Sequence, residues 1–241
     1  MSQSGKVAVV TGSTKGIGFC IAEALVQAGA SVTVSARNAE EVSAAAVRLD
    51  ALETGRALGV SCDVRRPAAV AELIRRTVAE FGGLDILVNN AGVGHFSPVA
   101  ELPVEHWQQM IETNLSGAFY CCREAIPHLR RRGGGWIINI ASLAGKNPLA
   151  GGTGYNASKF GLVGFSEALL LDVRNDNIRV SCLMPGSVAT HFNDHTPSDA
   201  DAWKIQPEDI AGVVLNLLEV PGRTMPSRVE LRPTRPPRRE G

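Results

Sequence analysis

Short apolar segments alternate with longer amphipathic segments along most of the chain. The short segments are rich in β-branched residues, and they are predicted as strands at residues 6–10, 31–36, 57–62, 84–89, 136–141, 178–184 and 228–232. The longer segments carry apolar residues at helical spacing, and they are predicted as helices at residues 16–28, 39–54, 67–81, 104–132, 153–175 and 207–219. Pro67 and Pro207 stand at two of the predicted helix starts, where proline is favoured.

The predicted strands are almost continuously apolar, which is typical of strands that helices cover on both faces. Strands that alternate with helices in this way form a parallel, doubly wound sheet. We therefore expect one α/β domain of the Rossmann type over residues 1–232, with a seven-stranded parallel sheet and helices on both faces. Residues 233–241 are rich in Pro and Arg and are predicted to form a flexible tail, with a P-x-x-P ligand for a partner domain as the alternative.

Composition argues against several classes of function. Lys and Arg together number 24, as do Asp and Glu, so the chain lacks the broad positive field of a nucleic-acid binder. No apolar run approaches the ~18 residues of a membrane span, and the N-terminus has no signal-peptide pattern, so we expect a cytoplasmic protein that binds no membrane. The five cysteines lack metal-ligand spacing, so we expect free thiols and no metal site.

A glycine-rich turn follows the first predicted strand, and its glycines are Gly12, Gly16 and Gly18. Gly12 permits a tight turn, whereas Gly16 and Gly18 let the main chain come close to a pyrophosphate. A helix starts at this point, so its free N–H groups and its dipole favour a bound phosphate. Glycine-rich turns also occur without a ligand, but this position in a doubly wound pattern predicts dinucleotide binding.

The end of the second predicted strand bears on the choice between NAD and NADP. An NAD site places an acidic residue there to accept hydrogen bonds from the ribose 2′-hydroxyl. Here the strand runs into Arg37, and the nearest acid is Glu40. Arg37, with Lys15 from the glycine loop, could instead bind a 2′-phosphate through charge-assisted hydrogen bonds, so NADP(H) is the predicted cofactor. The alternative is that both are solvated surface residues.

Tyr155 and Lys159 are separated by one helical turn inside a predicted helix, so both lie on the same helix face. A positive charge beside a phenol lowers the phenol pKa, towards the value that a proton donor needs near neutral pH. Taken alone, such a pair is more often an ordinary helical surface pair. The order of the other motifs favours the catalytic interpretation.

Several motifs follow one another along the chain. They are T-G-x-x-x-G-x-G at 11–18, Asp63, N-N-A-G at 89–92, Asn114, Ser142, Y-x-x-x-K at 155–159, and Pro185, Gly186 and Thr190 after the sixth strand. Over roughly residues 5–232 the chain resembles the short-chain dehydrogenase/reductase family, including its 3-oxoacyl-[acyl-carrier-protein] reductase-like members. The catalytic tetrad of that family matches Asn114, Ser142, Tyr155 and Lys159.

The resemblance implies that hydride passes from C4 of NADPH to a carbonyl carbon while Tyr155 protonates the oxygen and Ser142 hydrogen-bonds it. Lys159 would lower the pKa of Tyr155 and bind the nicotinamide ribose, and Asn114 would hold a water that links Lys159 to solvent. Asp63 would hold the adenine amine. The implied cofactor-binding residues are Gly12, Ser13, Thr14, Lys15, Gly16, Ile17, Gly18, Arg37, Asp63, Val64, Asn89, Ala91, Gly92, Tyr155, Lys159, Pro185, Gly186, Val188 and Thr190.

The chain departs from acyl-carrier reductases in two places. Residues 191–206 form a short polar segment, and the V-D-G-G signature near the C-terminus is absent, which puts the acyl-carrier substrate and the usual tetramer in doubt. The predicted substrate contacts are Ser142, His95, Phe96, Asn147, Tyr155 and Phe192, with Lys146, His191 and Trp203 nearby. For His95, a role as a hydrogen-bonded loop residue is an equal alternative.

We therefore expect an NADP-dependent oxidoreductase that acts on a ketone, an aldehyde, a 3-oxoacyl compound or the corresponding alcohol. Alternatives are a non-catalytic NADP-binding regulator and a nicotinamide-dependent epimerase or dehydratase. The long helices at 104–132 and 153–175 match the family's dimerising surface, so a homodimer or homotetramer is expected.

Overall fold

A parallel seven-stranded sheet forms the centre of the molecule. The computed structural model describes residues 2–52 and 54–236. The strands are β1 (Val7–Thr11), β2 (Ser31–Ala36), β3 (Arg56–Ser61), β4 (Ile86–Asn89), β5 (Gly135–Ile140), β6 (Ile178–Pro185) and β7 (Arg228–Leu231). Their order is β3-β2-β1-β4-β5-β6-β7, and every neighbouring pair is parallel. The predicted doubly wound fold is confirmed.

Helices cover both faces of this sheet. They are α1 (Gly16–Gln27), α2 (Ala39–Asp50), α3 (Pro67–Phe81), α4 (Val104–Ile111), α5 (Gly117–Arg131), α6 (Thr153–Val173) and α7 (Pro207–Leu218). Apolar residues of α1, α2 and α7 share one core cluster with the sheet, and those of α3, α5 and α6 share the other. Within β1, Val10 belongs to the first cluster and Val9 to the second, which explains the continuously apolar strand.

The predicted helix at 104–132 is not one regular helix. A π-helical turn at Glu112–Ser116 separates α4 from α5, and Pro127 lies inside α5. Sequence periodicity does not reveal one wide turn, because the apolar face continues on either side of it. The turn contains Asn114, whose side chain is buried.

The segment between β6 and α7 is short and irregular. It contains two 3₁₀ turns, at Phe192–Asp194 and Asp199–Asp201, and an isolated bridge joins Val188 to Ile205. Among the described residues, none of the helices is both long and apolar enough to cross a lipid bilayer. Of the predicted flexible tail, residues 237–241 lie outside the described part of the chain.

Candidate active site

The predicted site residues lie at or after the carboxyl ends of β1, β2, β3, β4, β5 and β6, in the first turn of α1, in the π-helical turn before α5, or on α6. β1 and β4 are neighbours in the sheet, although β2 and β3 separate them in the chain. The crossovers therefore run in opposite directions from this point, and a crevice opens between the two strand ends. In doubly wound sheets this crevice is where ligands bind.

Two glycines of the loop after β1 adopt left-handed backbone conformations, with φ of +62° at Gly12 and +59° at Gly16. A Cβ at position 12 would lie 2.8 Å from the Ala91 Cα atom, and a Cβ at position 18 would lie 2.4 Å from the Gly12 carbonyl oxygen. Glycine is therefore required at positions 12 and 18 by close main-chain packing. The result is a bare main-chain turn at the start of α1, as an anion cradle needs.

Thr11 and Asn90 hold this turn against the end of β4. The Thr11 hydroxyl accepts hydrogen bonds from the N–H groups of Asn90 and Ala91, at 3.0 and 3.1 Å. The Asn90 amide donates to the Thr11 and Gly12 carbonyls, at 3.0 and 2.8 Å. Sequence analysis did not assign either residue a role, although both stand inside the motifs that it identified.

Ser13 and Asn89 lie inside the fold. The Ser13 hydroxyl donates to the Val10 carbonyl at 2.6 Å and accepts from the Ser35 N–H at 2.9 Å. The Asn89 amide donates to Asn139 Oδ1 at 2.8 Å, and its own Oδ1 atom is buried without a partner among the described residues. Both side chains thus tie strands together, so a contact with cofactor would involve the Ser13 main chain or the Asn89 oxygen.

Positive charge is available around the ends of β2 and β3. Arg37 and Lys15 are exposed, and no carboxylate within residues 2–52 and 54–236 pairs with either. The Asp63 carboxylate is instead held by Arg65 through bonds of 2.6 to 3.0 Å, which lowers the pKa of Asp63. An adenine amine that bound the Asp63 carboxylate would therefore share it with Arg65.

Ser142 and Tyr155 face each other across the end of β5. Ser142 follows β5 and accepts the Ala144 N–H at 3.1 Å, while Tyr155 lies in the first turn of α6. Burial raises the pKa of Tyr155, and a hydrogen bond with Ser142 acts in the opposite direction. In this geometry the Lys159 charge is not among the causes of the shift in the Tyr155 pKa.

Lys159 is only 4% exposed. Its ammonium lies 5.8 Å from the Tyr155 ring centre and donates a hydrogen bond to the Ile140 carbonyl at 3.0 Å. Burial lowers the pKa of Lys159 from 10.5 to about 8. The group is therefore mostly charged at neutral pH but loses its proton far more readily than a solvated lysine.

Asn114 connects the π-helical turn to the loop after β4. Its Oδ1 atom accepts the Val93 N–H at 2.8 Å, and its amide donates to the Val93 carbonyl and to the Ser158 hydroxyl, each at 2.9 Å. A Cβ at position 92 would lie 3.4 Å from Asn114 Oδ1 and 3.7 Å from Lys159 Nζ. Gly92 thus leaves room beside both polar atoms.

Asn156 fixes the loop that follows Ser142. Its amide donates to the Ala144 and Asn147 carbonyls at 2.6 and 3.0 Å, and its Oδ1 atom accepts the Leu149 N–H at 3.0 Å. Sequence analysis missed this residue because its partners lie in a loop with no periodic pattern. Its position beside Tyr155 was the only available signal.

Two aromatic side chains flank Tyr155. The ring centres of Phe96 and Phe192 lie 5.3 and 5.7 Å from that of Tyr155, and both rings are tilted by more than 50°. A Cβ at Gly94 would meet the Phe192 ring at 2.6 Å. The structure therefore brings together three of the predicted substrate contacts.

The other predicted substrate contacts have different surroundings. The His95 ring stacks on His106 at 3.8 Å, and its Nε2 atom hydrogen-bonds with Gln109 at 3.0 Å. Lys146 forms an ion pair of 2.7 Å with Glu230 of β7. The remaining candidates are Asn147 and His191, both exposed, and Trp203, which is half-buried. Among the described residues, no group of three or more His, Cys, Asp or Glu side chains could hold a metal ion.

The residues after β6 return to the glycine loop. Pro185 ends β6, and the Gly186 N–H donates to the Leu231 carbonyl at 2.9 Å. A Cβ at Gly16 would lie 3.5 Å from the Thr190 methyl group. Val188 is half-buried and packs against the α1 core cluster. This segment therefore reaches from the end of β6 to the glycine loop after β1.

Comparisons with known proteins identify the family. The family model described as short chain dehydrogenase matches residues 6–201. D-beta-hydroxybutyrate dehydrogenase of Rhizobium meliloti (strain 1021) is 35% identical over 87% of this chain and 82% of its own length. A metagenomic short-chain oxidoreductase in complex with NADP is 38% identical, with a TM-score of 0.86 over 98% of this chain and all 100% of its own. L-sorbose reductase of Gluconobacter frateurii, complexed with NADPH and L-sorbose, is 33% identical, with a TM-score of 0.88 and 97% coverage of both chains.

The burial of Lys159 predicts a pH-dependent stability. Between the folded-state pKa of about 8 and the ordinary 10.5, the unfolded chain binds more protons than the folded chain, so stability rises with pH in this window. Relative to Lys159→Met, we expect the free energy of unfolding of the wild type to increase by about 2 kcal/mol between about pH 7.5 and 9.5. Urea unfolding at several pH values measures this difference.

The control is Lys146→Met, which removes an exposed ammonium. Its difference from the wild type should stay nearly constant over the same range. If Lys159→Met behaves like this control, Lys159 does not carry a depressed pKa in the folded protein.

Proposed function

The chain belongs to the short-chain dehydrogenase family, and from this premise we propose that it is an NADP-dependent oxidoreductase that interconverts a carbonyl compound and its alcohol. The observation that carries the proposal is the grouping of Ser142, which follows β5, with Tyr155 and Lys159 of α6. Solved relatives in complex with NADP or NADPH support the choice of cofactor.

The residues present fit a dinucleotide. The main-chain turn at Gly12 and Gly16 has positive φ and presents no side chain where a pyrophosphate would lie, next to the N-terminus of α1. Val64, Asp63 and Arg65 follow β3 and would border the adenine. Lys159 and the segment from Pro185 to Thr190 would border the nicotinamide half. When bound, the nicotinamide supplies or accepts the hydride.

Arg37 and Lys15 support NADP over NAD. Both are exposed beside the ends of β2 and β1, and neither is neutralised by a carboxylate of the described residues. A ribose 2′-phosphate would accept charge-assisted hydrogen bonds from Arg37, whereas a 2′-hydroxyl would find no acidic acceptor directly after β2.

The proposed chemistry places one proton transfer at Tyr155. In the reductive direction, the phenol Oη atom donates its proton to the substrate oxygen, and the raised pKa keeps the phenol protonated at neutral pH. The Ser142 hydroxyl hydrogen-bonds the same oxygen and stabilises its developing charge. The Lys159 ammonium lies on the same face of α6, 5.8 Å from the ring centre, so a positive charge stands near the phenolate that remains.

Proton return to Tyr155 would pass through Lys159 and the space beside Gly92. Asn114 Oδ1 and Lys159 Nζ both border this space, at 3.4 and 3.7 Å from a Cβ placed on Gly92. A water molecule there could accept from Lys159 and donate to Asn114. The depressed pKa of Lys159, about 8, suits a group that gives up and regains a proton during turnover.

We also propose that two copies associate through α5 and α6. These helices expose Phe119, Phe160 and Leu171 to 44%, 45% and 57%. Exposed apolar side chains that are grouped on neighbouring helices are typical of an interface between subunits.

Tyr155→Phe tests the proposed reaction. The variant keeps the ring but removes the proton donor, so we expect carbonyl reduction to fall by about 10²- to 10⁴-fold while NADPH still binds. NADPH consumption over a panel of ketones, aldehydes, keto sugars and β-ketoacyl thioesters measures turnover, and cofactor fluorescence measures binding. The control is Tyr120→Phe, since Tyr120 is the other of the 2 tyrosines. Tight NADPH binding without turnover of any panel member would contradict the proposed reaction.

Arg37→Ala tests the proposed cofactor. Losing one charge-assisted hydrogen bond to a 2′-phosphate should raise the KM for NADPH by about 10- to 100-fold and leave the KM for NADH nearly unchanged. Steady-state kinetics with both cofactors measures this split, with Arg76→Ala on the outer surface of α3 as the control. If the wild type prefers NADH, or if the variant raises the KM for both cofactors equally, Arg37 does not bind the 2′-phosphate.

A further inference from the structure

We propose that the substrate carbonyl carries a flat apolar substituent, such as an aryl group, which packs against the exposed faces of Phe96 and Phe192 beside Tyr155. This inference rests on the proposed function, because it assigns the rest of the substrate once Tyr155 is taken as the proton donor. A site of this kind discriminates against hydrophilic carbonyl compounds such as keto sugars.

The Tyr155 ring has aromatic neighbours on two loops. Phe96, from the loop after β4, and Phe192, from the loop after β6, lie 5.3 and 5.7 Å from it by ring centres. Their exposed fractions are 44% and 38%, so each ring presents a large apolar surface next to the phenol. Aromatic pairs at such distances and tilts attract one another, and a third flat group can use the same exposed faces.

Main-chain contacts hold both phenylalanines in place. The Ser97 N–H donates to the Gly151 carbonyl at 2.8 Å, which joins the Phe96 loop to the loop that precedes α6. Phe192 packs on the bare main chain of Gly94, where any Cβ would come within 2.6 Å of its ring. The two rings therefore belong to one aromatic wall that three loops build around Tyr155.

Two of the polar side chains that could have bound a hydroxylated substrate are engaged elsewhere. His95 hydrogen-bonds with Gln109 and stacks on His106, and Lys146 is paired with Glu230. Tyr155 itself belongs to an apolar cluster with Met110 and Ala144. A polyol placed against this wall would lose hydrogen bonds to water without regaining them from the rings, which is costly.

Asn147 and His191 are the exposed polar candidates that remain. They flank Lys146 and Phe192 in the chain, and neither contributes a ring contact or a hydrogen bond to Tyr155 among the described residues. They can border the mouth of the site, but the surface next to the reacting oxygen is aromatic.

The test compares acetophenone with dihydroxyacetone as substrates of the wild type with NADPH. The variants are Phe96→Ala, Phe192→Ala and Phe96→Leu, and the control is Phe81→Ala, which removes a half-buried phenylalanine that lies under Arg56 at the end of α3. Binding of 1-phenylethanol, measured by calorimetry, adds a readout that does not depend on turnover.

We expect kcat/KM of the wild type to be at least tenfold higher for acetophenone. Phe96→Ala and Phe192→Ala should each lower that value about tenfold, mainly through KM, and weaken 1-phenylethanol binding to a similar degree. Activity with dihydroxyacetone should change less than about twofold, and Phe96→Leu should lose less than Phe96→Ala.

Equal or better reduction of dihydroxyacetone would overturn the inference while leaving the proposed function intact. The same holds if both alanine variants keep the acetophenone KM of the wild type. If neither ketone is reduced in a Tyr155-dependent way, the proposed function fails, and calorimetry with 1-phenylethanol then decides on the aromatic wall separately: no binding overturns it.

Discussion

A buried positive charge is the constraint on which the site depends. The Lys159 ammonium is enclosed by α6 and the end of β5, and it donates to the main-chain carbonyl of Ile140. Burying a charge is unfavourable because the charge loses its hydration, and this loss lowers the pKa of Lys159 to about 8. The protein keeps this group in place by fixing its surroundings through neutral hydrogen bonds, chiefly those of Asn114 and Ser158.

Close packing of the main chain shapes the crevice between β1 and β4. Thr11 and Asn90 bond the glycine turn to the end of β4, and the absence of side chains at Gly12 and Gly18 lets the two main chains touch. The phosphate cradle and the catalytic group are thus parts of one sheet edge. The parallel topology brings them together, since each loop follows the carboxyl end of a neighbouring strand.

Most of the fold could be predicted from the sequence. The apolar strands and the helices between them follow directly from local periodicity, and the observed sheet has the seven strands expected. The π-helical turn at Glu112–Ser116 could not be predicted, because it changes hydrogen bonding without changing the apolar pattern. The motif residues Ser142, Tyr155 and Lys159 were predicted as a group, and the structure places them together.

What escaped prediction depends on contacts between distant loops. Asn156 holds the loop after Ser142, and Glu230 of β7 pairs with Lys146. Each partner lies outside the local pattern of the residue it binds, so spacing along the chain carries no signal of it. The aromatic wall is a further example, because Phe96 and Phe192 belong to loops that only the fold brings together.

Isotope transfer tests the central claim, a direct hydride transfer at this site, most directly. The wild type would reduce acetophenone with NADPH that carries deuterium at either the pro-R or the pro-S position of C4, and mass spectrometry would locate the label in the alcohol. The account predicts one deuterium on the carbinol carbon from one of the two cofactors and none from the other. Alcohol that forms without label from either cofactor would contradict it.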